Sequence, residues 1–342
     1  MTDLWVGGYT ADSGGESGGI VLLQPDLAGR LRIVGEPTVA ESPSWLVGHP
    51  RLPVIYAAQE TAGTVIAFRR AGDFGLARLG EPVGVGAEVC HLAVAPAGDC
   101  LIASCYGDGA VLRIGLAADG GLADAVSTEP SIARHLAAGR EPPPSRAHAA
   151  AFLADGRLAS TDLGHDSVRI WRPTADGLRP DHQVDLPAGS GPRHLTAHPS
   201  GLLYVVTEYS CEILILSRSG ADWELTAGIP LSRQVVPGRD FPAELSGSAD
   251  GGLLYAGVRG SNVIATLAVA DNGTTLQPVA LSDCGGDWPR HHLLDGSFLR
   301  VANQRSGDIA TLALDSRTGV PERILSTIPV GSPACLLVAA AA

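Results

Sequence analysis

Arginine, histidine and glutamate recur in this chain where short apolar runs begin or end. GPRHLTAHP sets Arg193 beside His194, and WPRHHL sets Arg290 beside His291. SRAHAAAF holds Arg146 and His148, and FPAEL holds Glu244. VVTE, VRG and VAN end at or beside Glu208, Arg259 and Asn303. Histidine titrates near neutrality, so it can take a proton from water and return it. Arginine presents a planar fork of donors to a carboxylate, a phosphate or a developing oxyanion. Gathered at one place, these groups could add water to a carbonyl while holding an anion. Scattered, they would be the polar edges of turns, so the elements that position them decide the matter.

Those elements repeat. Segments opening at Ser42, Glu88, Ser145, Gly191, Phe241 and Trp288 each run through an apolar strand and a tight turn such as HP, ADG or HPSG. A second apolar strand, a polar or glycine-bearing loop and a third strand follow. The openings are roughly 45 to 57 residues apart, the spacing of four-stranded propeller blades. A more polar stretch such as ARLGEPVGV leaves room for a fourth strand. SPACLLVAA from Ser332 reads as a lone first strand, while LWVGGY, GIVLLQP and LRIVGEP read as second, third and fourth strands. One blade shared by both ends would close the ring without an open sheet edge. The expectation is all-β: a seven-bladed β-propeller of four-stranded antiparallel blades, one domain over residues 1–342. A parallel α/β fold is disfavoured because no helical period separates the strands. SIARHLAAGR could form a helix of only about two turns.

Propeller topology sorts the charged residues. Starts of first strands and ends of second strands open on the same face, around the central channel. His148, Arg193, His194, Glu244, Arg290, His291, Glu208, Arg259, Asp162 and Asn303 therefore share that face near the channel mouth, as a small-molecule site requires. His49 and His198 fall in first-to-second turns on the opposite face and are expected to brace them. Strand alternation predicts that His194 and His291 face between blades while Arg193 and Arg290 face the channel.

Composition limits the partners. A net charge of −12 argues against nucleic acid, which needs clustered cations, but a few converging arginines could still hold an anion. MTDLWVGGYT shows no basic-then-apolar leader, and no apolar run is long enough to span a membrane. Six widely spaced cysteines without CxxC pairs read as reduced, buried thiols. The expectation is a cytoplasmic protein, a monomer or weak homo-oligomer, acting on a small anionic molecule.

The ordered series LWVGGYT, SPSWLVGHP, VCHLAVAPAGD, RAHAAAFLADGR, GPRHLTAHPSG, PAELSGSADGG and PRHHLLDG resembles the lactonase family of seven-bladed propellers over essentially the whole chain. That family includes cycloisomerase-2-type 6-phosphogluconolactonases and the fungal 3-carboxy-cis,cis-muconate lactonizing enzymes. The resemblance implies catalytic positions at His148, Arg193, Glu208 and Arg259. Arg146, Glu244, Arg290 and Asn303 are then expected to bind substrate. Arg146 stands where the family has a histidine, and Leu245-Ser246 follow Ala243-Glu244 where another histidine is expected. Both departures bear on the substrate. The expected function is metal-independent and cofactor-free hydrolysis of a sugar lactone, with 6-phosphogluconolactone the leading candidate. A muconate-type cycloisomerase and a non-catalytic binding propeller are the alternatives. A metal centre is disfavoured because a mouth rich in arginine would repel a cation.

Overall fold

Each sequence repeat folds as four antiparallel strands side by side in chain order, and the computed structural model describes this for residues 2–128, 131–133 and 141–339. Blades 1 to 6 begin with the innermost strands Pro43–Gly48, Val89–Val94, Ala147–Phe152, Pro192–Ala197, Phe241–Gly247 and Pro289–Asp295. The closing blade takes its innermost strand, Pro333–Val338, from one end of the chain. Its other strands, Leu4–Gly8, Ile20–Pro25 and Leu31–Thr38, come from the other end. Leu4 pairs with Val338 and Gly7 with Cys335, so the ring closes by hydrogen bonds. Pro333–Val338 packs beside the innermost strands of blades 6 and 1, completing the circle. The seven-bladed propeller expected from the repeat is what forms.

Two local features differ from the simple pattern. ARLGEPVGV does form fourth-strand structure in blade 1, but in two pieces, Gly75–Arg78 and Val83–Gly84, both paired with Thr64–Ala71. Pro82, with no amide hydrogen to donate, stands in the break. In SIARHLAAGR, residues 131–133 are not helical, and residues 134–140 lie outside the described residues. Among the described residues no helix is long and apolar enough to cross a membrane.

The second strands are apolar on both faces because each blade is sandwiched between neighbours. Val54–Gln59, Cys100–Cys105 and Leu203–Thr207 are buried throughout. Fourth strands, at the rim, are mostly exposed, as in Thr275–Asp283. The core thus lies between blades, for example where Val206 and Ile213 of blade 4 join Ala256 and Leu267 of blade 5.

Polar side chains fasten the blades at a repeated position. Tyr56, Tyr204 and Tyr255 each donate a hydroxyl to the carbonyl of a glycine in the following blade: Gly120, Gly273 and Gly319. At the same position of blade 6 stands Arg300, fully buried, which donates Nη1 to Gly29 O of the closing blade at 2.6 Å. Asp295 and Thr311 satisfy the rest of that guanidinium. The acceptor glycines all sit at positive φ, which lets the turn expose its carbonyl to the neighbour.

On the face away from the mouth, His49 and His198 behave as expected and also reach further. Each Nδ1 accepts a backbone amide of its own turn, and each Nε2 lies 3.1 Å from a carbonyl of the next blade, Gly98 O or Gly251 O. All six cysteines are free thiols and buried.

Candidate active site

A bulge near the start of every innermost strand builds the site. Register shifts at this point in all seven blades, as between Pro192 and His194 or Pro289 and His291. The extra residue breaks strict alternation, so two consecutive side chains turn to the channel. The first of each pair includes Cys90, His148, Arg193 and Arg290. The second includes Trp45, His91, His194, Glu244 and His291.

His194 and His291 therefore do not face between blades, as alternation had suggested. His194 lies 5.6 Å from the Trp45 ring and 5.5 Å from that of His91, and His291 lies 5.2 Å from Trp45. These residues come from blades 1, 2, 4 and 6, of which only blades 1 and 2 are neighbours, so the others meet across the channel. Glu244 Oε1 completes this layer, 3.5 Å from His194 Nδ1 and 3.8 Å from His291 Nε2.

Above it, the mouth has two arginine–carboxylate groupings. In one, Glu208 Oε2 lies 2.7 Å from Arg259 Nη2 and 3.1 Å from Arg193 Nε, the latter out of line for a hydrogen bond. Arg259 is fixed further by Phe241 O and by the face of Trp288. In the other, Glu60 accepts the Tyr9 hydroxyl at 2.9 Å and lies 3.7 Å from Arg290, which also sits over the Tyr9 ring. Arg146 stacks on Tyr106, whose edge faces His148 at 6.0 Å. Four guanidinium groups thus stand against two carboxylates in a protein whose net charge is −12.

Burial shapes the ionisation here. Burial first, then the charge of Arg193, holds the His148 imidazole well below the ordinary histidine value, and its Nδ1 is sealed from solvent with no protein partner. His91, His194 and His291 are likewise held low, chiefly by burial. Burial pushes Glu244 up to about 8, against the pull of Arg193. Burial together with Arg259 lowers Arg193 to about 10. At neutral pH the mouth has neutral imidazoles and an excess of fixed positive charge.

Of the expected residues, His148, Arg193, Glu208, Arg259, Arg290 and Arg146 gather at the mouth. Glu244 lies one layer deeper. Asn303 does not join them: it is fully buried and donates Nδ2 to Asp308 and to Cys284 O, bracing its own loop. Asp162 likewise spends its carboxylate on the amides of Arg146, Gly164 and His165. The side chain one residue further along reaches the mouth, and in other blades that position holds Tyr9, Glu60, Tyr106, Glu208, Arg259 and Gln304. Tyr9, Glu60 and Tyr106 were not singled out from the sequence, although lining up the blades at this position would have found them.

A propeller with this mouth belongs, by the match of residues 3–338, to the family described as Lactonase, 7-bladed beta-propeller, a class of carboxylic-ester hydrolases. Among its relatives is the 6-phosphogluconolactonase of Bacillus subtilis (strain 168), 27% identical over 349 residues and covering 97% of each chain. The 6-phosphogluconolactonase of Yersinia pestis (strain Pestoides F) is 29% identical over 179 residues, 49% of this chain and 52% of that protein. The structure of the Pseudomonas aeruginosa periplasmic gluconolactonase PpgL superposes with a TM-score of 0.88 at 26% identity, covering 98% of each chain.

Proposed function

We propose that the protein hydrolyses an anionic sugar lactone, with 6-phosphogluconolactone the leading substrate, without a metal ion. The observation that carries this reading is the surplus of guanidinium groups at the mouth beside His148, whose imidazole is held neutral by burial and by the charge of Arg193. The names of the Bacillus and Yersinia relatives point to the same substrate.

His148 accepts a proton from water as the water oxygen bonds to the lactone carbonyl carbon. Arg193 and Arg259 donate to the oxyanion that develops. The ring C–O bond then breaks, His148 returns the proton to the departing alkoxide, and the new carboxylic acid gives its remaining proton to solvent and leaves as a carboxylate. Glu208, 2.7 Å from Arg259 and in charge contact with Arg193, positions the arginines and leaves the proton transfer to His148. The bound anion offsets the field of Arg193 and Arg290, so substrate itself raises the basicity of His148.

The test is hydrolysis of 6-phosphogluconolactone and glucono-δ-lactone by wild type and His148→Ala, corrected for spontaneous ring opening, with and without EDTA. Loss of activity in the variant with no effect of EDTA is expected. Equal rates for wild type and variant on both lactones would overturn the reading.

A further inference from the structure

A cavity of about 490 Å³ opens beside the mouth, between the closing blade and blade 6, and the chemistry above does not use it. Tyr9 and Glu60 form its inner wall, so it is continuous with the mouth. Gln304 forms another wall, at the position in blade 6 that Glu208 holds in blade 4. The Gln304 Oε1 is sealed from solvent and has no hydrogen-bond partner. A turn of the side chain toward the cavity would bring that unpaired oxygen a hydroxyl donor, which it lacks as it stands.

The charge around this cavity differs from that of the mouth. Glu16 and Glu60 stand against Arg305, whose guanidinium is held over the Trp288 ring. The two carboxylates repel a phosphate, and with the amide oxygen of Gln304 they can accept hydroxyl hydrogens. The volume lies within the range of about 300–1,000 Å³ common to small-molecule pockets.

We propose that this cavity is a hydroxyl-recognising subsite, in which Gln304 and Glu60 hold the polyol edge of a sugar lactone while its anionic group faces the arginines. The proposal rests on the lactonase reading of the mouth. It makes hydroxyl recognition a separate determinant of specificity, supplied by the closing blade, blade 1 and blade 6.

The experiment compares wild type, Gln304→Met and Gln304→Glu on 6-phosphogluconolactone and on the hydroxyl-free δ-valerolactone, with gluconate and 5-hydroxypentanoate binding measured by calorimetry. Gln304→Met should lower kcat/KM on the sugar lactone about tenfold more than on δ-valerolactone, mainly through KM. Gluconate should bind that variant about tenfold more weakly, with 5-hydroxypentanoate far less affected. Gln304→Glu, which keeps an acceptor oxygen of the same reach, should retain most of the preference and stands in if the Met variant misfolds. Equal losses on both lactones, or unaltered gluconate affinity, would overturn the subsite. If wild type opens neither lactone, the hydrolase reading fails by itself. The gluconate titration then decides the subsite: discrimination by wild type that is lost in Gln304→Met supports it, and its absence overturns it.

Discussion

Glu244→Gln should make the protein more stable, by an amount that grows with pH. The side chain is 5% exposed and faces His194 and Arg193 of blade 4, His291 of blade 6 and Cys335 of the closing blade. Burial raises its pKa from 4.5 to about 8. A carboxyl with a raised folded pKa holds its proton more tightly when folded. Its contribution to stability is therefore complete below about pH 4.5 and is withdrawn as pH rises through about 8. At about 1.36 kcal/mol per pH unit, the interval from 4.5 to about 8 corresponds to about 5 kcal/mol. Glutamine has the same shape and cannot ionise. Relative to wild type it should gain about 3 kcal/mol at pH 7 and under about 1 kcal/mol at pH 5, beyond any pH-independent difference. Guanidinium unfolding of both proteins at pH 5, 7 and 8 measures this. The buried histidines, whose folded pKa values are lowered, lose stability in the opposite direction as pH falls, and they largely cancel in the comparison. A wild-type-to-variant difference that stayed constant over this range would refute a neutral carboxyl in the channel.

Because His148 is held well below 6.5, its base form persists in acid, and kcat/KM should stay flat from pH 8 down through 6.5; a rate that halved near pH 6.5 would contradict this. Arg193→Lys, which keeps the charge but loses the fork, should lower kcat/KM about 100-fold, as read in the 6-phosphogluconolactone assay. Tyr204→Phe should cost about 1 kcal/mol in denaturant unfolding by removing the bond to Gly273 O, with kcat/KM unaltered.

The ring was readable from sequence because its signal is repetition. Turns such as HPSG and ADGG punctuate apolar runs at blade spacing, and the lone strand at Ser332 had only one place to go. The site was readable down to its charged residues but not to their directions. Alternation is a property of regular strands, and the extra residue at each bulge turns His194 and His291 into the channel with Arg193 and Arg290. Asn303 was misplaced by a single residue. The last residue of a second strand faces its own loop and the next one faces the mouth, and that boundary is set by pairing with the first strand. Glu60 and Tyr9 carry no motif of their own, so only their register with Glu208 could have marked them. Arg300 carries no signal of its role in the sequence, because its partners Gly29 and Thr311 lie in another repeat or beyond the next turn.

The strand Pro333–Val338 gives the molecule a checkpoint during synthesis. Leu4–Gly8 is made before blades 1 to 6, and its inner partner only after them. Until then, two blades lack a neighbour and one sheet edge stays available to other chains. Tyr9, which follows Leu4–Gly8 directly, belongs to the same grouping as Glu60 and Arg290. A chain released before Pro333 would therefore lack a complete mouth as well as a closed ring. Catalytic competence and resistance to aggregation should arrive together, with that strand.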